Sequence, residues 1–198
     1  LYSTLPEAEE MKLAPGCKNI RIASRTNQRI IMLNKGTDDK GFMVCKDCGA
    51  SMPGNDISVL NDINRPYKSK YTRGKCRHSN YFNVNLGYDF ITDMLVLEFT
   101  IDDRIIDVRR NDNPWLNRAA QSLAEALRLV ASKKLDVEFT ELVTGYRLRT
   151  GPEAYYVDIY LYDSLSSGAG YAVSVADAIA ELLADMKELL NSCNCGSA

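Results

Sequence analysis

Hydrophobic and polar positions alternate along most of this chain, and twice the alternation gives way to a helical period. Ile20 and Ile22 sit between polar neighbours, and residues 29–33 form a second short apolar run. With Thr26-Asn27 between them, the two runs predict a β-hairpin. Residues 41–44 predict a short strand. Residues 50–64, with Pro53-Gly54 and several Asn and Asp, predict a loop with a helical turn near 57–60. Phe82, Val84 and Leu86 then alternate with Asn83 and Asn85, and residues 94–99 form another alternating run. The polar stretch between these runs reads as a bend, so they are predicted to pair antiparallel.

At Asp112-Asn113-Pro114 the period changes. An Asp or Asn cap followed by Pro at the first helical position marks a helix start. Leu116, Ala119, Ala120, Leu123, Leu127 and Val130 then give that helix one apolar face, through about Ser132. Trp115 is expected to anchor this end in the core, with an exposed recognition role as the alternative. Alternation returns over residues 135–143, a strand or hairpin turn is expected at 145–152, and residues 155–162 read as a strand of period two. Asp163 and the serines and glycines up to Gly170 break it and lead into a second long helix. There Ala172, Val175, Ala176, Ile179, Leu182, Leu183, Met186, Leu189 and Leu190 share one face. Strands, helix, strands, helix is the order of an α+β domain, with a mainly antiparallel sheet and two long helices on one face.

Composition adds limits. The 198 residues suit one generous domain, or one with a small appended module, and 45% hydrophobic content supports a substantial core. A formal charge of −2 gives the whole molecule no general pull on nucleic acid, so any such contact must come from a local patch. No apolar run approaches a membrane span, and the start lacks a signal-peptide pattern. Leu1 at the start, and an end three residues after Cys195, point to a piece of a longer protein.

Six cysteines occur as Cys17, Cys45-x-x-Cys48, Cys76 and Cys193-x-Cys195. Close pairs without a secretory signal favour metal over disulfides and place the chain in the reducing cytoplasm. A short strand running into Cys45-Lys46-Asp47-Cys48-Gly49 has the shape of a zinc knuckle, and Cys76-Arg77-His78 closes the inserted loop. Cys45, Cys48, Cys76 and His78 make a donor set suited to tetrahedral Zn²⁺, with the fourth position open between His78 and Cys17. Four protein ligands leave no place for water, so such a zinc is structural. Cys193 and Cys195 are two further candidate ligands, half of a site.

No acidic residue lies between Asp62 and Asp89. Arg65, Lys68, Lys70, Arg73, Lys75 and Arg77 fall there, among Tyr67, Tyr71 and Tyr81. Cations for phosphates beside rings for bases compose a nucleic-acid-contacting loop; the plainer reading is a hydrated loop that balances a thiolate-rich site. Arg147 and Arg149, two apart on a predicted strand, are expected at a solvated sheet edge. Gly168-Ala169-Gly170 opens a helix and offers N–H groups to a phosphate. With no Lys-Ser/Thr after it, the elbow is better read as packing, capped by Asp163, Ser166 or Ser167. Catalysis is not expected: the lone histidine, His78, lies in the metal loop, and no His-Glu-x-x-His or ATPase motif is present.

Tyr160-Leu161-Tyr162-Asp163, then Gly168-Ala169-Gly170-Tyr171, a helix and Cys193-x-Cys195, resemble the zinc-binding domain that ends MrfA-type superfamily-two helicases. The same domain occurs in the DrmB component of DISARM anti-phage defence systems. Asn34-x-Gly36, Gly41-Phe42-x-x-Cys45-x-x-Cys48-Gly49, Leu86-Gly87-Tyr88-x-Phe90-x-Thr92-Asp93-x-Leu95 and Ser122-Leu123-Ala124-Glu125-Ala126-Leu127 are similar to its pattern, in its order. The chain accordingly divides into a lead-in with N-terminal strands (1–33), a zinc-knuckle and basic loop (34–80), and an α+β helicase-associated domain (81–198) that forms one structural unit with 34–80. In the resembled family two more cysteines follow at this point and complete a four-cysteine zinc site. Here either ligands beyond residue 198 do so, or Cys193 and Cys195 join a distant cysteine such as Cys17, or they stay free thiols.

The resemblance implies a non-catalytic accessory domain of a DNA helicase, or of a helicase-partner protein, in DNA repair or antiviral defence. Its implied partners are motor domains in cis or a helicase subunit in trans, and single-stranded DNA. The alternative is a protein–protein scaffold module that never touches nucleic acid.

Overall fold

The computed structural model describes residues 2–3, 10–61, 68–70, 73–102, 114–151 and 154–192. In chain order its elements are β1 (Tyr2–Ser3), β2 (Lys12–Leu13), β3 (Ile20–Asn34), β4 (Phe42–Cys45), β5 (Ser51–Pro53), α1 (Ser58–Asn61), β6 (Tyr81–Val84), β7 (Leu86–Ile101), α2 (Pro114–Leu135), β8 (Leu142–Thr150), β9 (Tyr155–Asp163), α3 (Tyr171–Asp177) and α4 (Ile179–Asn191). The fold is α+β, as the order of periods predicts. The chain divides into two compact units, a smaller one of Leu1–Tyr2 and Ile31–Asp89 and a larger one of Ser3–Ile30 and Phe90–Ala198.

In the larger unit the sheet runs β3-β7-β9-β8, and β2 pairs with β3. β9 is antiparallel to both neighbours, with Ile159 opposite Leu97 on one side and Tyr146 on the other. Alternation then puts Leu95, Leu97, Val157, Ile159 and Leu161 on one face. They meet Leu116, Ala120, Leu127 and Val130 of α2, Ala172 and Val175 of α3, and Ile179, Leu182 and Met186 of α4 in one buried cluster.

The other face of the same strands is also buried, with Met94, Val96, Tyr160 and Tyr162 beside two carboxylates. Glu98 of β7 and Asp158 of β9 are buried and meet arginines from both flanks. Arg21 of β3 reaches Glu98 (2.6 Å), Arg149 of β8 bridges Glu98 (2.5 Å) and Asp158 (2.6 Å), and Arg147 reaches Asp158 (3.0 Å). Arg147 and Arg149 do lie on the edge strand, β8, as expected, but they are not simply solvated: both neutralise buried carboxylates, and Arg149 lies over the Tyr156 ring at 4.9 Å. Asp158 and Glu98 hold the Arg149 guanidinium far above its ordinary range against the opposing effect of burial.

Four other expectations are corrected. Residues 20–34 form one continuous strand, not a hairpin, because Asn27 at φ 54° absorbs a local bend and its N–H goes to the Asp93 carboxylate at 3.1 Å. The polar stretch 87–93 is strand within β7, while β6 pairs with β4 in another sheet. The second long helix is kinked at Ala178 (φ −95°, ψ 9°) into α3 and α4. Just before the kink the Ser174 hydroxyl donates to the Gly170 carbonyl (2.9 Å), back-bonding of a kind that bends helices. Trp115, expected in the core, is 45% exposed. The caps proposed at Asp112 and Asn113 lie outside the described residues.

The smaller unit holds a three-stranded sheet of order β5-β4-β6, antiparallel throughout. Its buried cluster is Met43, Cys45, Ala50, Leu60 and Cys76, with Cys48, Met52, Ile57 and Val59 packed against it.

Candidate metal centre

The centre is built where β4 ends. Alternation turns Cys45 inward beside Met43, and both are buried. The chain then reverses tightly: the Gly49 N–H donates to the Cys45 carbonyl (2.8 Å) and the Cys45 N–H to the Ala50 carbonyl (2.9 Å). Gly49 sits at φ +75°, a conformation side chains rarely adopt. This turn carries Cys48 back beside Cys45. β6 pairs with β4, Tyr81 opposite Cys45, and the Lys46 N–H donates to the Asn80 carbonyl at 2.8 Å. The residues just before β6, Cys76 and His78, are thereby brought to the same spot. His78 at φ 53° bends the chain so that both ends of the short Cys-x-His bite point inward.

The four donor atoms lie within 4.8 Å of one another. Cys45 Sγ is 3.7 Å from Cys76 Sγ, and Cys48 Sγ is 3.4 Å from His78 Nδ1. A regular tetrahedron with Zn–S of about 2.3 Å and Zn–N of about 2.0 Å has S···S edges of about 3.8 Å and S···N edges of about 3.5 Å. The donor set fits Zn²⁺ in chemistry and in size.

Burial pushes the Cys45 thiol up, but His78 and the backbone N–H groups of Asp47 and Cys48 outweigh it and bring the thiol down to about 7. Cys48 is pushed up to about 11, by burial first and then by its contacts with Cys45 and Cys76. The Cys45 thiolate is thus the easier of the two to form, and its negative charge opposes a second one at Cys48.

Cys17 belongs to the larger unit and is not in the cluster. Cys193, Cys195 and Arg65 lie outside the described residues. Lys68, Lys70, Arg73, Lys75 and Arg77 are all exposed. Lys68 and Lys75 face each other across an antiparallel bridge, closed by Ser69 N–H to Gly74 carbonyl (2.9 Å) and Arg73 N–H to Ser69 carbonyl (3.0 Å). This hairpin hangs on the knuckle, since the Lys70 N–H donates to the Asp47 carbonyl at 3.3 Å. Among the described residues Lys68, Arg73, Lys75 and Arg77 make no ion pair. Folding also places Lys46 over the Phe82 ring, at 5.3 Å, a contact that neither residue signals in the sequence.

The elbow before α3 is filled by the protein itself. Asp163, fully buried, accepts from the N–H groups of Ala169 (2.6 Å), Tyr171 (3.1 Å) and Ala172 (2.8 Å). Asp93 accepts from the Gly170 N–H at 3.2 Å. These donors are satisfied by carboxylates and are not available to a phosphate, and Asp163 is the cap rather than Ser166 or Ser167. Gly168, at φ +73°, has no room for a Cβ beside the Asp93 carboxylate. Sequence reading placed Asp93 in a family-like motif but gave it no role, because its partners are sixty residues and more away.

Comparison with known proteins gives three findings. Residues 123–198 match the family described as MrfA Zn-binding domain. Druantia protein DruE of Escherichia coli (strain UMEA 4076-1) is 33% identical over 210 residues, which take in all of this chain but 11% of that protein. A crystal structure of the DUF1998 helicase MrfA bound to DNA superposes with a TM-score of 0.52 at 12% identity, over 98% of this chain and 21% of that one. The last is a likeness of fold. The family segment begins inside α2 and takes in Cys193 and Cys195; the Cys45, Cys48, Cys76 and His78 cluster precedes it.

Proposed function

We propose, from the match of residues 123–198 to the MrfA Zn-binding family and the 33% identity to DruE, that the chain is a non-catalytic, MrfA-type zinc-binding accessory module of a longer cytoplasmic DNA-remodelling protein, in repair or anti-phage defence. Zn²⁺ is its cofactor. Cys45, Cys48, Cys76 and His78 hold one ion, and Cys193 and Cys195 supply half of a second site. The first ion fixes the basic hairpin, and Lys68, Lys70, Arg73, Lys75 and Arg77, with Arg65, contact the phosphates of single-stranded DNA. The module supports motor domains in cis or a helicase subunit in trans.

The observation that carries this reading is the hairpin's attachment. Four donors lie within 4.8 Å of one another, and Asp47, between the first two of them in sequence, anchors a loop of exposed cations. A structural metal there converts a flexible basic loop into an oriented one. Its test is the salt dependence of single-stranded DNA affinity on zinc-loaded protein. Neutralising about six phosphates predicts a log–log slope of about −4. Changing Lys68, Lys70, Arg73 and Arg77 to Ala together should flatten the slope and weaken binding alike for all sequences. No DNA binding at low salt would sink the reading and leave a scaffold that docks another protein.

A further inference from the structure

We infer that the outer face of the three-stranded sheet in the smaller unit is a base-stacking ledge for single-stranded DNA, with Phe82 as the stacking ring; this deepens the proposed function and rests on it. Alternation in β4 sends Met43 and Cys45 inward to the metal cluster, so Phe42 and Val44 take the opposite face. β6 adds Val84 opposite Phe42 and Phe82 opposite Val44 on that same face. None of the four is buried, and Phe82 is 38% exposed. Lys46 continues the row and holds its ammonium 5.3 Å from the Phe82 ring centroid.

The next residue, Asp47, carries the basic hairpin through the Lys70 N–H. A flat aromatic face and a set of cations therefore meet at two consecutive residues, 46 and 47. Residues 31–89 carry nine basic against six acidic side chains, whereas the rest of the chain carries fifteen against twenty. The field that attracts a polyanion is thus confined to the unit that carries the ledge. Single-stranded DNA offers what this surface lacks, a flat base for the ring with a phosphate beside it. A protein partner with an apolar patch would match the ring and leave the cations unanswered.

The test uses the zinc-loaded 198-residue chain and two labelled probes with equal phosphate number, an oligothymidylate of about fifteen nucleotides and its fully abasic analogue. Fluorescence anisotropy at low salt should show the thymidylate binding about five-fold tighter or more, the contribution of one stacked base. That gap should vanish in Phe82→Ala and Phe82→Leu and persist in Phe82→Tyr. Affinity for the abasic probe should be the same in all four proteins. Zinc content of each variant checks its fold; should Phe82→Ala lose zinc, Phe82→Leu carries the test with the apolar volume kept. Equal affinity for both probes overturns the ledge and leaves the phosphate contacts standing. A gap that survives Phe82→Leu also overturns it, because packing rather than a ring would then suffice. Failure of both probes to bind overturns the ledge together with the proposed function.

Discussion

Among the described residues the larger unit buries eighteen apolar residues in one cluster, whereas the smaller buries five, two of them cysteines. Both hold an antiparallel sheet. The larger holds it by layers, with helices packed over β7, β9 and β8. The smaller has a single turn of helix, α1, and a short three-stranded sheet, too little apolar surface for independent stability. Its sulfur atoms and His78 take the place that leucines and valines occupy in the other unit. The difference teaches where each unit is vulnerable: one to cavities and unpaired charges, the other to loss of an ion.

Metal removal should separate the two most sharply. Structural zinc contributes roughly 10 kcal/mol or more in small sites, far above what the five-residue cluster provides. Chelation should therefore abolish hydrogen-exchange protection in β4, β5 and β6 and leave β9 and α2 protected. Protection that survives chelation in β4 would end the comparison, because the smaller unit would then stand on its own core.

The reciprocal experiment is Arg149→Ala. It removes the cation shared by buried Glu98 and Asp158 and leaves each with one arginine, Arg21 and Arg147, so the cost should lie near the lower end of the about 3–5 kcal/mol of a buried pair broken outright. Urea denaturation should register that loss while zinc content stays unchanged; a fall in bound zinc would show that the units are not independent. Asp163→Ala comes next. Three N–H groups, one buried and two part-buried, lose their acceptor, up to about 3 kcal/mol if each costs about one. Asp163→Asn, which keeps one acceptor oxygen, should recover part of it. Lys134→Ala should do least, since its pair with Glu181 is 39% and 59% exposed and such pairs contribute about 0–1 kcal/mol. Thermal melting of that variant should overlay the parent.

How far the chain could be read in advance differs by kind of element. α2 was legible to within a turn, because one apolar stripe at helical spacing has a single solution. The donor set was legible too: Cys45 and Cys48 declare themselves by spacing. His78 was harder, and competed with Cys17 until β6 paired with β4. Residues 20–34 and 86–101 were misread at their middles for one reason. A period of two says that a residue is in a strand, and says nothing of where the strand stops or which strand it joins. Trp115 was assigned to the core on size alone, which is a tendency and not a constraint.

Local spacing along the chain was enough for the fold class, the two helical stretches, the strand before the elbow and the three cysteines that gather with His78. Each of these depends on interactions between residues near in sequence, or on residue types with few alternative roles. Which carboxylate caps the elbow, which arginines enter the sheet, and which ring lies beside Lys46 were decided only when distant strands came into register. Asp93, Glu98 and Phe82 have no local partner to announce them. Their roles come from neighbours supplied by pairing across the sheets, and that pairing is a property of the folded chain.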